Sequence, residues 1–449
     1  MFRRCGLILP MRSARILISV LAFVVSAEAL GLAAYYVATG ALFYTHRRTY
    51  AAPLPTPEDR LAVGEAVHPY FGVTHRPGVP FDIPESLRLD ASARPRLQTN
   101  NFGFVSPHDY PFNRARDNQF LVGLFGGSVG LWFCQIGAPR LVSELQRHPF
   151  FKAREIVPLC FSHEGYKQPQ QALVLAYFLS RGQALDLVIN LDGFNDVALG
   201  ALNHDRGFDA SMPSVQHLDP LINLINQSAL TPQKLASLAA IVRDRQRLVD
   251  LSTTLDKTPI AAVHLVLDWY YRLVQGRYTR ELGRFATLPS NPPTNPLVQA
   301  TPPAASRDRP ALFADIAAMW ARSSLLMHEL LAARDAVYMH VLQPNQYFSM
   351  RRFSAREAAV ALSDASPYKR SVEEGYPLLV TAGQSELRAK GIRFFDATRV
   401  LDQEPEPVYM DNCCHYTRVG NDLLADFIAR SILDAPGPWS GAGATAGPR

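Results

Sequence analysis

The chain contains short, continuous hydrophobic runs that alternate with longer stretches in which hydrophobic and polar residues follow a helical spacing. A short continuous run is typical of a strand buried on both faces, and the helical spacing is typical of an amphipathic helix. This alternation predicts an α/β fold, a three-layer sandwich with helices on both faces of a parallel sheet. Five strands are predicted, at residues 120–125, 156–161, 185–191, 337–342 and 392–395.

A long insertion, at about 200–310, separates the third and fourth predicted strands. Within it, Thr231 followed by proline is typical of a helix start and predicts a helix over about 231–251. A second helix is predicted over 260–282, and the prolines of 289–303 predict a loop. The helices that alternate with the strands are expected at about 129–147, 168–179, 310–334, 378–390 and 419–433.

An apolar run at residues 16–44 precedes this domain. It is 29 residues long, more than the roughly 20 residues needed to cross a bilayer, and Glu28 is its only charged residue. The run therefore predicts one uncleaved N-terminal transmembrane helix. A cleaved signal peptide is the alternative, because Ala27-Glu28-Ala29 is typical of a cleavage site, but the apolar run continues well past it.

Basic residues on the two sides of the run indicate its orientation in the membrane. Four arginines and no acidic residue precede the run, whereas one histidine and two arginines follow it closely. This imbalance favours a cytoplasmic N-terminus at residues 1–15. The rest of the chain is then expected to be extracytoplasmic, in the periplasm or at the cell surface.

Two segments outside the predicted sheet lack a regular pattern. Residues 45–118 are rich in proline and turn residues and predict an irregular arm packed on the domain. Residues 435–449 consist mainly of proline, glycine and alanine and predict a disordered tail. The α/β domain, with its insertion, is therefore expected to occupy 119–434.

The composition is that of a globular protein, with 48% hydrophobic and 19% charged residues. The formal net charge is only +5, and the predicted soluble part has no cluster of lysine and arginine with interleaved aromatic residues. Nucleic-acid binding is therefore not expected. The five cysteines show no C-x-x-C spacing and the twelve histidines no H-E-x-x-H, so neither a metal site nor a cofactor is expected.

The stretch Gly126-Gly127-Ser128-Val129-Gly130 stands where the first strand must give way to a helix. A serine between glycines can be held there in a tight turn with its hydroxyl exposed, while the N-terminal amides of the helix face an incoming oxygen anion. A serine nucleophile is commonly displayed in this way. Similar sequences also occur in ordinary turns and in phosphate-binding loops, so the motif needs support from other segments.

Three later residues lie at carboxyl ends of strands or just before a helix, where parallel sheets bind ligands. Gly165 follows the second strand, Asn195 follows the third, and His415 precedes the last helix. Acyl transfer by a serine requires a base, an acid that orients the base, and donors for the oxyanion. Each residue could instead serve a turn or a cap, but their joint occurrence in this order favours a catalytic set.

The order of these motifs resembles that of the SGNH (GDSL-like) hydrolase superfamily. Gly-Gly-Ser follows the first strand, a lone glycine the second, Gly-x-Asn-Asp the third, and a late histidine is followed by Gly420-Asn421. The resemblance covers about 120–433 and implies a membrane-anchored bacterial protein with a flavodoxin-like sheet. By this resemblance Ser128 is the nucleophile and His415 the general base.

The resemblance also implies an oxyanion hole formed by the backbone amides of Ser128 and Gly165 and the side-chain amide of Asn195. The chain departs from the family near the base, because the family's acid lies three residues before the histidine. That position holds Asn412, and Asp411 lies one residue further back. We predict that Asp411 orients the histidine, that the loop absorbs the extra residue, and that Asn412 turns towards loop backbone or solvent.

The function implied by the resemblance is a serine-dependent esterase that removes an O-acyl group, expected to be O-acetyl, from an extracytoplasmic polysaccharide or cell-envelope glycan. An O-acyltransferase on the same substrates is an alternative, and so is a non-catalytic glycan-binding or scaffold module. The G-x-S-x-G match also fits an α/β-hydrolase elbow. That fold places several strands before the nucleophile, where this chain has only the proline-rich arm.

The cysteines suggest one further expectation. Outside the cytoplasm thiols tend to oxidise, and Cys134 lies about two turns into the helix after Ser128. If His415 reaches Ser128, the neighbouring pair Cys413 and Cys414 comes close to that helix. We predict a disulfide between Cys134 and one of the pair, with three reduced cysteines as the alternative.

Overall fold

The computed structural model describes residues 11–45, 65–81, 97–218, 221, 230–289 and 305–440. The chain divides into two compact units, the first formed by Met1–Ala62 and Asn226–Leu297 and the second by Val63–Ile225 and Val298–Arg449. The helices of the predicted insertion thus belong to the unit of the N-terminal helix, and most of the predicted arm belongs to the unit of the sheet. Residues 1–10, the predicted loop from 290 and the tail from 441 lie outside the described residues.

The second unit contains all of the described strands. A five-stranded sheet, in which every neighbouring pair is parallel, confirms the predicted strands with ends displaced by no more than two residues. Four short strands, β1 to β4, precede the sheet, and the sheet itself consists of β5 to β9. The strands are β1 (Glu65–His68), β2 (Gly72–His75), β3 (Pro80–Phe81), β4 (Leu97–Gln98), β5 (Gln119–Gly126), β6 (Glu155–Cys160), β7 (Leu187–Asp192), β8 (Val337–Leu342) and β9 (Arg393–Asp396).

The strand order is β6-β5-β7-β8-β9. Counted along the sheet-forming strands this is 2-1-3-4-5, the order of flavodoxin-like sheets. After β6 the chain crosses to the other side of β5, so the order reverses between β5 and β7. Ligands bind in open α/β sheets at such a reversal, outside the carboxyl ends of the strands. The residues that follow β5, β6 and β7 are therefore the first place to look for a site.

The central strands are buried along their whole length, which explains their continuous apolar runs. The exception is a polar network at β7 and β8. The buried Asp192 carboxylate accepts hydrogen bonds from the Trp320 indole (2.7 Å) and the Asn190 amide (2.7 Å), and it pairs with His340 at 2.7 Å. These partners lower the pKa of Asp192 even though burial acts to raise it. The network satisfies a charge that would otherwise be costly in the core.

Twelve α-helices lie wholly within the described residues. The predicted helices are present, but the segment predicted over 16–44 is helical only to Thr39, and the helices predicted over 231–251 and 260–282 extend to Lys257 and Thr287. Two further helices have different bounds. The helices are α1 (Met11–Thr39), α2 (Ser128–Trp132), α3 (Ala138–Leu145), α4 (Pro149–Lys152), α5 (Gln170–Ser180), α6 (Phe194–Asp205), α7 (Pro232–Lys257), α8 (Ala261–Thr287), α9 (Arg309–Ala332), α10 (Ala355–Ala361), α11 (Lys369–Ala382) and α12 (Arg418–Asp434).

The helix predicted over 129–147 consists of α2, a π-helical turn at Phe133–Gly137, and α3. The ring of Phe133 packs on Gly137, where a Cβ atom would come within 2.5 Å of it. The helix predicted over 378–390 begins nine residues earlier, at Lys369, and runs through Pro377. Burial of its apolar face outweighs the loss of one backbone hydrogen bond at the proline. The position of a proline in the sequence does not show whether such burial compensates for it.

The predicted irregular arm contains two short antiparallel pairs, β1 with β2 and β3 with β4. Its aromatic side chains belong to the main core, since Phe71 and Phe104 are fully buried against Phe178. The Tyr166 hydroxyl, from the loop after β6, donates to the carbonyl of Val73 at 2.7 Å. The described part of the arm is therefore an integral part of the sheet-containing unit.

Residues 435–440, which the sequence predicted to be part of a disordered tail, pack on the domain. Trp439 is 3% exposed and packs against Phe151. Its indole N–H donates to the carbonyls of Ile432 (2.7 Å) and Ala435 (3.1 Å). The prolines and glycines of this segment predicted disorder, but one large aromatic residue supplies enough apolar surface to hold residues 435–440 on the domain.

The first unit consists of α1, α7 and α8. Within the described residues, α1 is the one helix long and apolar enough to cross a membrane, over Ile18–Thr39, with a mean hydropathy of 1.9. Helices α7 and α8 pack through buried aliphatic and aromatic residues that include Leu248, Tyr271 and Val274. Thr231 caps α7 through its hydroxyl, which accepts the N–H of Lys234 at 3.2 Å, at the helix start that the sequence predicted.

Candidate active site

Ser128 is the first residue of α2 and is separated from the end of β5 by Gly127 alone. The glycines around it are needed because several chain segments meet here. A Cβ atom at Gly127 would lie 2.1 Å from the amide nitrogen of Asn195, and one at Gly126 would lie 2.4 Å from the carbonyl oxygen of Leu191. At Gly130 it would meet the Ser162 hydroxyl at 2.6 Å. The turn therefore brings the ends of β5, β6 and β7 together only if these positions lack side chains.

The imidazole of His415 faces this serine, although the two residues are 287 positions apart in the chain. Its Nε2 atom lies 2.8 Å from the Ser128 hydroxyl oxygen, and its Nδ1 atom is hydrogen-bonded to Asp411 Oδ2. With Nδ1 protonated towards the carboxylate, Nε2 presents a lone pair to the serine hydroxyl. The three side chains thus form a continuous hydrogen-bonded chain, and the carboxylate predicted from sequence is the one within reach.

The loop from Asp411 to His415 is wound around the second carboxylate oxygen of Asp411. This Oδ1 atom accepts the backbone N–H groups of Cys413 and Cys414 (both 3.0 Å) and of His415 (3.2 Å). The winding brings residues four apart in the chain to the same side. In this way the loop accommodates one residue more than in the SGNH superfamily, where the acid lies three residues before the histidine. Asn412 is exposed, as predicted, and its carbonyl accepts the hydroxyl of Tyr347 at 2.9 Å.

Side chains from elsewhere in the unit hold the loop in place. Asn345 donates to the carbonyl of Cys413 and Gln346 to that of Asp411, both at 3.1 Å. The base of the loop is closed by an antiparallel bridge between Tyr409 and Tyr416. Because these contacts come from three chain segments, the geometry of the histidine is set by tertiary structure.

The electrostatics of the pair agree with an orienting carboxylate. Desolvation acts to lower the pKa of His415, but the hydrogen bond and the negative charge of Asp411 outweigh it, and the pKa lies above its ordinary value. Desolvation acts to raise the pKa of Asp411, but the hydrogen bond and charge of His415 and the backbone N–H groups of the loop lower it. Asp411 is therefore ionised at neutral pH and stabilises a positive charge on the imidazole.

Asn195 and Gly165 lie at the same edge of the sheet as Ser128. The Asn195 side-chain nitrogen donates to the carbonyl of Tyr166 at 2.9 Å and lies next to Gly127. A side-chain amide has two N–H groups, so one remains for a ligand. Gly165 adopts a left-handed conformation (φ 75°), and a Cβ atom there would lie 2.5 Å from the ring of His217. The structure thus brings all five sequence-predicted site residues to one edge.

Sequence reasoning missed a cluster of histidines and glutamates around Gly165. His75 Nε2 lies 3.0 Å from Glu164, and His217 Nδ1 lies 2.9 Å from Glu65. Burial, aided by the neighbouring His75, lowers the pKa of His163 to about 4, so that imidazole is neutral. The only sequence signal was the polar pair His163-Glu164, which begins three residues after the end of β6. Their partners come from the arm and from the segment after α6, and no local pattern predicts such pairing.

Within the part of the chain that the structure describes, two groups of side chains have the donor atoms that a metal ion requires. In one group His75, His163 and Glu164 place their ligand atoms within 4.8 Å of one another. The other group contains His415 and the two cysteines before it. Each of these histidines has a hydrogen-bond partner in the protein: His75 and His415 contact carboxylates, and His163 Nδ1 lies 2.9 Å from the backbone carbonyl oxygen of Glu164.

The predicted disulfide is wrong. Cys134 is bonded to Cys160, at the end of β6, with a Cα–Cα distance of 5.9 Å. The π-helical turn directs Cys134 towards the edge strand β6 instead of the histidine loop. Cys413 and Cys414 are free thiols whose sulfur atoms are 3.2 Å apart. Burial raises the pKa of the Cys414 thiol well above its ordinary value.

Comparison with known families leaves the site to be interpreted from its own geometry. No protein-family model matches the chain, and no curated protein matches it.

Proposed function

We propose that this protein is a serine esterase of the SGNH type, with helices on both faces of its sheet. The hydrogen-bonded chain from Ser128 through His415 to Asp411 is the observation that supports the proposal most strongly. Its position at the strand-order reversal, where α/β sheets bind ligands, adds independent support. The core contains a chain of the same residue types, from Ser324 through His340 to Asp192, but it is fully buried, whereas Ser128 and His415 lie at the ends of the strands.

In the proposed reaction, the Ser128 hydroxyl oxygen attacks the ester carbonyl carbon and its proton passes to His415 Nε2. The charge that develops on the carbonyl oxygen is stabilised by the amides of Ser128, Gly165 and Asn195. Collapse expels the alcohol, which takes the proton from His415 and leaves an acyl-enzyme. Water, deprotonated by His415, then attacks the acyl carbon and releases the carboxylic acid and free Ser128.

The proposed substrate is an O-acetyl ester on a polysaccharide or cell-envelope glycan outside the cytoplasm. The N-terminal helix α1 supports this location, because an esterase anchored in a membrane acts on substrates close to that membrane. An O-acyltransferase would use the same acyl-enzyme with a sugar hydroxyl in place of water. Acetate release from extracted envelope polysaccharide, measured with and without an added acceptor oligosaccharide, tests the proposal. Transfer of labelled acetyl to the acceptor would identify a transferase, and no acetyl chemistry on any of these substrates would refute the substrate class.

Removal of one oxyanion donor provides a quantitative test. Asn195→Ala is expected to lower kcat by roughly 10²- to 10³-fold, the usual loss for such a donor, with little change in KM because the interaction strengthens only in the transition state. Turnover of a small acetyl ester and the Tm of the variant should be measured together, since the same amide also donates to Tyr166. Normal turnover in this variant would show that Asn195 is not an oxyanion donor.

The proposed location can be tested separately from the chemistry. A reporter fused after Leu433 is expected to behave as extracytoplasmic, because the basic residues before α1 favour a cytoplasmic N-terminus. The protein should also remain in the membrane fraction after a high-salt wash. A soluble product that starts near Leu30 would mean instead that the apolar segment is a cleaved signal.

A further inference from the structure

Helix α8 has an exposed apolar face over its first half. The exposed fractions are 45% for Val263, 64% for Val266, 65% for Trp269, 38% for Tyr270 and 42% for Leu273. These five residues recur at the spacing of one helix face and are called here the apolar face. An exposed apolar surface of this extent marks an interaction site.

The second half of α8 carries arginines on the same side. Arg277, Arg280 and Arg284 follow Leu273 at intervals of four, seven and eleven residues and are exposed, although Arg277 also pairs with Asp244 at 3.2 Å and Arg284 with Glu281 at 3.5 Å. Along this one side the helix therefore changes from apolar, with two aromatic residues in the apolar part, to basic. Helices α7 and α8 together contain nine basic and five acidic residues, a net charge of +4.

The apolar half of α8 is held directly against α1. Gly31 packs on the α8 backbone so closely that a Cβ atom would lie 2.5 Å from the nitrogen of Ala262. The Glu28 carboxylate accepts the first two N–H groups of α8, from Ala261 at 2.8 Å and Ala262 at 3.0 Å. The one charge in the apolar run of α1 is thus stabilised by the N-terminus of a helix, and such partners are needed by a charged group within a membrane.

We propose that α8 lies in the membrane beside α1, with its apolar face among lipid tails and its three arginines at anionic lipid headgroups. The change from apolar to basic residues along the helix matches the change from hydrocarbon to headgroups across one leaflet. The net positive charge of the helix pair complements an anionic lipid surface. The unit formed by α1, α7 and α8 then contacts the membrane through two helices, α1 and α8, and not through α1 alone.

Tryptophan fluorescence can detect this contact in the full-length protein. Helix α1 contains no tryptophan, and the three tryptophans other than Trp269 belong to the second unit, where Trp132 is half-buried and Trp320 and Trp439 are buried. The protein is reconstituted into vesicles of phosphatidylcholine and phosphatidylglycerol, with or without brominated acyl chains. Wild type is expected to lose emission in the brominated vesicles, and Trp269→Phe is expected to lack that loss, because the brominated tails reach only this side chain.

A second pair of variants separates lipid contact from a general change in the protein. Val266→Glu places a charge on the apolar face and is expected to reduce the loss of emission. The matched control is Leu173→Glu, at a residue 53% exposed on α5, which should leave the loss unchanged. Both variants should still float with the vesicles, because α1 is intact.

Three results would overturn the proposal. Equal loss of emission in wild type and Trp269→Phe would mean that lipid does not reach the apolar face, as when a second copy of the chain covers it. Equal effects of Val266→Glu and Leu173→Glu would exclude a specific contact. If the wild-type protein does not float with the vesicles, neither α1 nor α8 lies in the bilayer. None of these readouts depends on ester turnover.

Discussion

Ser128→Ala is expected to abolish labelling by a fluorophosphonate and to lower ester turnover by roughly 10⁶-fold, as in serine hydrolases that lose their nucleophile. The hydroxyl oxygen is the atom 2.8 Å from His415 Nε2, so its removal leaves the base with nothing to activate. Little residual turnover is expected, because alanine keeps the turn but cannot form an acyl-enzyme. Labelling is measured on the intact protein and turnover with a small acetyl ester.

The matched control for this variant is Ser162→Ala. Ser162 is buried next to the same turn and donates to the carbonyl of Leu124 at 3.1 Å, but nothing assigns it a role in the chemistry. It should keep its labelling and lose about 1 kcal/mol of stability through the missing hydrogen bond. The Tm of Ser128→Ala should stay close to wild type. Unchanged ester turnover in Ser128→Ala would show that the protein is not a serine esterase of this type.

Asp411→Asn is expected to lower turnover by about 10⁴-fold, by analogy with other triads in which the carboxylate is replaced by an amide. An amide at this position can still contact His415 Nδ1, but it supplies no negative charge and can hold the wrong tautomer. Asn412→Ala is the matched control and should cost far less, because Asn412 is exposed and its carbonyl, which the substitution keeps, makes the contact with Tyr347. The reverse ranking would reassign the orienting role.

The same variant should change the pH dependence of kcat/KM. Asp411 raises the pKa of His415, and the base is active only when unprotonated. In the wild type, turnover is therefore lost as the pH falls through this raised pKa. In Asp411→Asn the raising charge is absent, so the acid limb should move to lower pH while the plateau falls. A lower plateau with an unmoved acid limb would point to a structural role for Asp411 alone.

The strands and most helices could be predicted because the apolar residues that each of them buries are close neighbours in the sequence. The strands β5, β7 and β8 are covered on both faces, so any polar interruption would cost free energy. The run of α1 is equally clear, since a long apolar helix has no soluble alternative except a core position. The start of α11 was missed, because burial of its face against other helices outweighs the local effect of Pro377.

The residue types of the site were also readable from sequence, because the Ser128 turn needs glycines and an ester reaction needs a base and an acid. Their arrangement was not. Whether Asp411 or Asn412 faces His415 depends on how Asp411 accepts three backbone N–H groups and on Asn345 and Gln346 from a distant segment. The pairing of Cys134 depends in the same way on a π-helical turn.

The sequence by itself determined the parallel sheet, the N-terminal apolar helix and the residue types of the site, because each is encoded by neighbours in the chain. Only the tertiary structure decided that the inserted helices belong with α1, that Cys160 is the partner of Cys134, and that the carboxylate of Asp411 reaches His415. These features depend on contacts between segments far apart in sequence. Such contacts form only when the whole fold places both partners, so no local pattern records them.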